Sequence, residues 1–168
     1  MHNTNRGKIL TINILVFSLV ILFHISNIAS LRISTATPLF ILPLLTAFSI
    51  FNSPVKSVVM GFIAGAALDS VSLSFGFNTV CLMILSLAVC LAANNLFNKN
   101  LRAAAVMSLL CAALYYISVW AVFHLFNATV RDSLGYLLQY GFPSAVYSAI
   151  FIFPFFYLYR YLEKLKTQ

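Results

Sequence analysis

Acidic residues are scarce in this 168-residue chain, which sets ten Lys and Arg against three Asp and Glu. The three acids are Asp69, Asp132 and Glu163. They fall in an apolar run, a connecting loop and a basic tail, so no two are placed to share a site. That separation argues against chemistry that needs paired carboxylates or acid–metal clusters, as in glycoside hydrolysis or metal-assisted phosphoryl transfer. Cysteine is equally uninformative as chemistry: Cys81, Cys90 and Cys111 form no CxxC pair, lack a nearby His or carboxylate at ligand spacing, and read as small apolar packing residues. His2, His24 and His124 are too scattered for a metal site. No GxSxG elbow, HExxH helix, P-loop or Gly-rich dinucleotide fingerprint occurs, so neither an enzyme nor a cofactor is expected. Charged residues of all kinds make up 8% of the chain, against about a quarter in a soluble domain. No polar stretch is long enough to fold as a separate soluble unit, and nothing suggests a nucleic-acid surface.

What the chain does have is apolar length. Hydrophobic residues reach 62% and the mean hydropathy is +0.98, the composition of an integral membrane protein. A helix needs about 20 apolar residues to cross about 30 Å of hydrocarbon. By that measure spans are expected at 9–28, 36–51, 57–73, 79–97, 103–126 and 137–159. The break between the third and fourth falls at Ser74-Phe75-Gly76-Phe77-Asn78, where Gly and Asn punctuate a run too long for one span. Pro38 and Pro43 lie in the second span, and Pro43 is expected to kink it. The fold expected is all-α: one polytopic membrane domain covering residues 1–168, with six transmembrane helices in a bundle.

Charge placement tests the six-span count, because cytoplasmic loops are rich in Lys and Arg. With the N-terminus inside, Arg6, Lys8, Lys56, Lys99, Arg102, Arg160, Lys164 and Lys166 all face the cytoplasm, and only Arg32 and Arg131 face out. Both termini are then cytoplasmic. The aromatic residues of the last span crowd its inner end, as an interfacial belt does. The first span resembles a signal peptide in its Arg6 and Lys8 flank, but its apolar core is too long and further spans follow, so retention is expected. The net charge of +7 fits attraction to anionic lipid head groups.

One segment stands out. Ser57, Gly61, Gly65 and Asp69 recur every four residues, so they stack on one side of the third helix. Small residues at this spacing let another helix approach closely in lipid. Two occupants remain open at this point: a helix of the same bundle, or a helix of a partner protein. Asp69 is the one acid within an expected span, where a carboxylate asks for a packing or functional reason. Its expected role is structural, capping or bracing the turn at Gly76 and Asn78, ahead of proton transfer. A contact between Asp69 and His24 or His124 is a further option, since all three fall in the outer halves of their spans.

These residues carry a family resemblance. A proline-bearing second span with Pro38 and Pro43, a GxxxGxxxD helix at Gly61-Gly65-Asp69, and a Gly-Phe-Asn turn at Gly76-Phe77-Asn78 together resemble the rod shape-determining MreD family. The last span, ending in aromatics and a basic tail over Tyr157–Lys166, is similar too. The resemblance is sharpest over Pro38–Leu96 and extends in layout to nearly the whole chain. It implies a non-enzymatic, multi-pass scaffold of the bacterial cell-elongation machinery in the cytoplasmic (inner) membrane, helping to organise peptidoglycan synthesis. The implied partners are MreC, a single-span protein, together with the actin-like MreB, the glycosyltransferase RodA and a class B penicillin-binding protein. On this reading a groove beside Gly61 and Gly65 receives the MreC helix.

A substrate-binding subunit of an energy-coupling-factor transporter is the alternative, since such proteins are also small, basic and six-span. Arg32, His24, Asp69, Asn78, His124 and Arg131 would then line an outward pocket. The Ala-rich docking motif often found early in those proteins is missing from Ile12-Asn13-Ile14-Leu15-Val16.

Overall fold

In the computed structural model, residues 2–25, 39–72, 76–95, 100–122, 139 and 141–167 are described. Those residues are helical apart from short connections, and no strand occurs among them. The helices are α1 (His2–Ile25), α2 (Ile41–Phe51), α3 (Pro54–Ser72), α4 (Phe77–Asn95), α5 (Leu101–Trp120), α6 (Phe142–Ile150) and α7 (Ile152–Thr167). Among the described residues four stretches are long and apolar enough to cross a membrane: α3, α4, α5 and the near-continuous Phe142–Leu165 of α6 and α7. Two further apolar stretches, Thr11–His24 in α1 and Ile41–Phe51, are shorter.

Prolines set several of these boundaries. Pro54 opens α3, where its missing N–H costs nothing and its fixed φ suits a first turn. Pro43 does not kink α2 as expected. The helix begins at Ile41, so Pro43 sits in the first turn, where its nitrogen would have had no intrahelical acceptor. Pro154 has the disruptive position instead. It denies the Ile150 carbonyl its partner, and the chain breaks at Phe151 between α6 and α7, with the Phe151 N–H turning back to the Ser148 carbonyl at 3.2 Å. Pro38 lies outside the described residues. The last helix runs past the expected end at 159 to Thr167.

The centre of the bundle is α2, every residue of which is buried. Phe48 takes Phe17 of α1 and Tyr159 of α7 edge-on, each with ring centroids 5.6 Å apart, and Phe51 meets Phe156 at 5.2 Å. At the other end of α2, Phe40 packs on Phe23 and Phe151, and the Leu39 N–H donates to Ser148 Oγ at 2.9 Å. These pairings run α1 antiparallel to α2 and α6–α7 alongside it in the same direction. Away from α2 the interior mixes large side chains such as Leu82 and Met107 with many small ones: Gly61, Ala64 and Gly65 on α3, Ser86, Cys90 and Ala93 on α4, Ala104, Ser108 and Ala112 on α5, and Ser144, Ala145 and Ser148 on α6 are buried. Large aliphatics such as Ile84, Leu91, Leu110 and Leu114 point outward. That inversion suits lipid, where helix association depends on close backbone approach and apolar side chains lose nothing by facing acyl chains.

Because α3 and α4 form an antiparallel hairpin and α5 runs antiparallel to α4, the starts of α1, α3 and α5 and the ends of α2, α4 and α7 share one end of the bundle. Lys56, Arg102, Arg160 and Lys164, all exposed, lie at that end.

Candidate functional site

Helices α3 and α4 pair closely, and two glycines of α3 let them do so. A Cβ on Gly61 would lie 2.6 Å from Ser86 Oγ and 2.7 Å from the Leu82 carbonyl oxygen; one on Gly65 would lie 2.7 Å from Thr79 N and 2.8 Å from the Asn78 carbonyl oxygen. No carbon side chain fits at either position without moving α4. The occupant of this face is therefore the chain's own fourth helix, and the groove expected to receive a partner helix is filled. Ser57, also on this face, is fully buried and donates its hydroxyl to the Ser53 carbonyl at 3.1 Å, tightening the entry to α3.

One turn beyond Gly65 the same face presents Asp69, in the last turn of α3 and near the end of the bundle away from the exposed basic residues. Its carboxylate reaches the first turn of α4. Oδ1 accepts the Asn78 N–H at 3.1 Å, and Oδ2 accepts both the Thr79 N–H at 2.9 Å and the Thr79 hydroxyl at 2.5 Å. Helix N-termini leave their first N–H groups without intrahelical acceptors, and a Ser, Thr or Asp at the N-cap normally answers them. Here the residue before α4 is Gly76, which has no side chain to offer and sits at φ 85°. That conformation turns the chain sharply from α3 toward α4 and is strained for any residue with a Cβ. A Cβ at Gly76 would meet open space, so the glycine is required by backbone geometry and not by crowding. The cap is thus supplied from the preceding helix. A negative group at a helix N-terminus also meets the positive end of the helix dipole, which favours the carboxylate over a neutral acceptor.

The network makes a second contact with α3 and extends to one more helix, α5, through Asn78. Its amide Nδ2 donates to Ser72 Oγ on α3 at 3.0 Å, and its Oδ1 accepts the Tyr115 hydroxyl of α5 at 2.8 Å. Ser72 Oγ in turn donates to the Leu68 carbonyl at 2.8 Å. Asn78 and Tyr115 are both buried, and Asp69 is half-buried. Ser72, Thr79 and Tyr115 were not among the residues singled out from sequence. Thr79 directly follows the Gly-Phe-Asn turn and was within reach of that reading, whereas Tyr115 is joined to it only by the register of α5. Tyr115→Phe should remove one buried hydrogen bond and take this donor from Asn78 Oδ1, lowering stability by about 1–2 kcal/mol. The check is thermal unfolding in detergent; an unchanged melting temperature would remove Tyr115 from the network.

Of the other residues considered for an outward pocket, Arg32, His124 and Arg131 lie outside the described residues. Asp69 and Asn78 are engaged with α4 and α5, and His24 is half-buried in the last turn of α1. Among the described residues no group of three or more His, Cys, Asp or Glu side chains is placed to hold a metal ion. The arrangement of Asp69, Thr79, Asn78 and Tyr115 locks three helices together.

A glycine-lined α3–α4 hairpin, with an aspartate capping the helix that follows a Gly-Phe-Asn turn, is the segment on which the family resemblance rested. A family model described as rod shape-determining protein MreD matches residues 5–162. The chain belongs to the MreD family. The match takes in all of α2 to α6 and most of α1 and α7, so the α3–α4 hairpin and its cap lie well within it. No curated protein and no solved structure matches the chain. Membership in the MreD family assigns the protein a role in determining rod shape, and the apolar helices make it a multi-pass membrane protein.

Proposed function

We propose that this protein is a non-enzymatic scaffold of the cell-elongation machinery, held in the bacterial cytoplasmic membrane by six spans with both termini inside. On this reading α1 and α2 complete the bundle as the two spans additional to the four long ones, and residues 1–168 act as one membrane domain. It binds a single-span partner of the MreC type and, directly or through it, MreB, RodA and a class B penicillin-binding protein. The observation that carries the reading is the family match across nearly the whole chain. The polar residues of the hairpin support it: Asp69, Thr79, Asn78 and Tyr115 hydrogen-bond to one another or to backbone between helices, the use a scaffold makes of polar groups in lipid.

With α4 seated on Gly61 and Gly65, the partner helix docks on an outer face of the bundle. Large-residue substitutions at these glycines then weaken partner binding only by damaging the fold.

The test is an affinity pull-down of the tagged chain from native membranes in mild detergent, with mass spectrometry of what accompanies it. MreC, RodA or a penicillin-binding protein should be recovered. ATPase subunits and a bound vitamin in their place would overturn scaffolding in favour of transport.

A further inference from the structure

The outward faces of α4 and α5 are aliphatic through the membrane, with Val80, Ile84, Leu91, Leu110 and Leu114 exposed, but the outward face of α7 is different. Ile152, Phe156, Tyr159 and Leu162 are buried against the core, which fixes the rotation of the helix. The opposite face carries Phe153, Tyr157, Arg160, Tyr161 and Lys164, all exposed, with Tyr157 at 56% and Tyr161 at 61%. Their spacing of four, three, one and three residues forms a single stripe of three rings and two cations, with both cations toward the end of the helix.

Depth orders this stripe. Measured along a helix from Phe142, Arg160 lies about 27 Å away and Lys164 about 33 Å, against a hydrocarbon thickness of about 30 Å. Phe153 is therefore at acyl-chain depth, Tyr157 and Arg160 approach the boundary from inside, and Lys164 lies beyond it, with the long Arg160 side chain able to carry its guanidinium to head-group level. Aromatic rings favour that boundary, and a cation at head-group level attracts an anionic lipid by about 1 kcal/mol. Glu163, half-buried, flanks the stripe, and Lys56 and Arg102 add positive charge at the same end of the bundle. The chain's excess of ten basic over three acidic residues leaves an anionic occupant favoured.

We propose that the Phe153, Tyr157, Arg160, Tyr161 and Lys164 face of α7 is a binding site for an anionic phospholipid. The phosphate and head group meet Arg160 and Lys164, and the glycerol and upper acyl chain lie along Tyr157 and Phe153. The site would attract phosphatidylglycerol-type lipid to one side of the scaffold and make its lipid shell asymmetric.

The experiment is native mass spectrometry of the purified full chain in detergent, given equal amounts of dioleoyl phosphatidylglycerol and dioleoyl phosphatidylcholine. The intact chain should retain phosphatidylglycerol selectively. R160Q/K164Q should lower that retention by about tenfold or more, as the loss of two interfacial cations requires. R160K/K164R, which keeps the charges, should retain the lipid, separating a loss of charge from a loss of fold. K56Q/R102Q, with cations removed elsewhere at the same end, should bind nearly as well as the parent chain. Equal retention of the two lipids would overturn the site, as would an equal loss in K56Q/R102Q. A second copy of the chain bound in place of lipid would overturn it too, as would an acidic peptide that competes with no lipid preference.

Discussion

Gly65→Ala should be among the most damaging single-methyl changes in the protein. In an ordinary helix interior this substitution stabilises by about 1 kcal/mol, because alanine has the higher helix propensity. Here the new carbon meets Thr79 N and the Asn78 carbonyl oxygen at 2.7 and 2.8 Å, and both are backbone atoms with nowhere to rotate. Helix α4 has to move away, at an overpacking cost of about 1–3 kcal/mol. The same movement draws Asn78 and Thr79 off the Asp69 carboxylate, and charge-assisted hydrogen bonds of this kind are worth about 1.5–3 kcal/mol each. The sum exceeds the propensity gain several-fold, so the purified variant should lose most of its folded fraction at temperatures where the parent survives. Gly61→Ala should fall between Gly65→Ala and the parent, since Ser86 Oγ is the end of a side chain, while the Leu82 carbonyl and Met83 Cα are backbone. Ala66→Leu is the control, because Ala66 is exposed on the same helix and should tolerate it. The readout is size-exclusion chromatography of heated, detergent-solubilised protein. A Gly65→Ala variant that survives with the parent would show that α3 and α4 are not in close contact.

The contrast between these two glycines and Gly76 also marks how far the sequence could be read. Spacing alone put Ser57, Gly61, Gly65 and Asp69 on one face, since that follows from helical periodicity. The neighbour that fills the face is not encoded in spacing, and the choice between a partner helix and α4 rested on tertiary packing. Helix positions were legible from apolar length because the bilayer imposes it. The ends were less so: Pro54 extends α3 three residues before the expected start, and α2 begins at Ile41, five residues after its own. The complete burial of α2 had no sequence signature either, since an apolar helix reads the same whether lipid or protein surrounds it. Within the hairpin, Asp69, Gly76 and Asn78 could be grouped because they are close in sequence. Tyr115, on α5, entered only with the fold.

Asp69→Ala should be the most damaging change to a polar side chain of the hairpin, and comparison with Asp69→Asn should separate the reasons. Alanine leaves the Asn78 and Thr79 N–H groups and the Thr79 hydroxyl without this acceptor at the start of α4. Loss of an N-cap acceptor typically costs about 1–2 kcal/mol, and loss of a favourable charge at a helix N-terminus up to about 2 more in partly buried settings. Asparagine keeps one acceptor oxygen and places an amide donor where the second oxygen was, facing groups that also donate. It should retain about half of the capping energy and none of the charge term, so its melting temperature should fall between those of the parent and the alanine variant. Rod shape in cells relying on each variant provides the second axis. If capping is the whole role of Asp69, shape should follow stability: the asparagine variant supports rods at low growth temperature and fails as its fold fails. An asparagine variant that melts with the parent but gives rounded cells would sink this account, because the carboxylate would then act on something other than α4. The distinction matters for the scaffold reading. A cap supplied by α3 holds α4 in place and, through Asn78 and Tyr115, ties α5 to it, so on the proposed scaffold reading it shapes the outer surface offered to a partner helix.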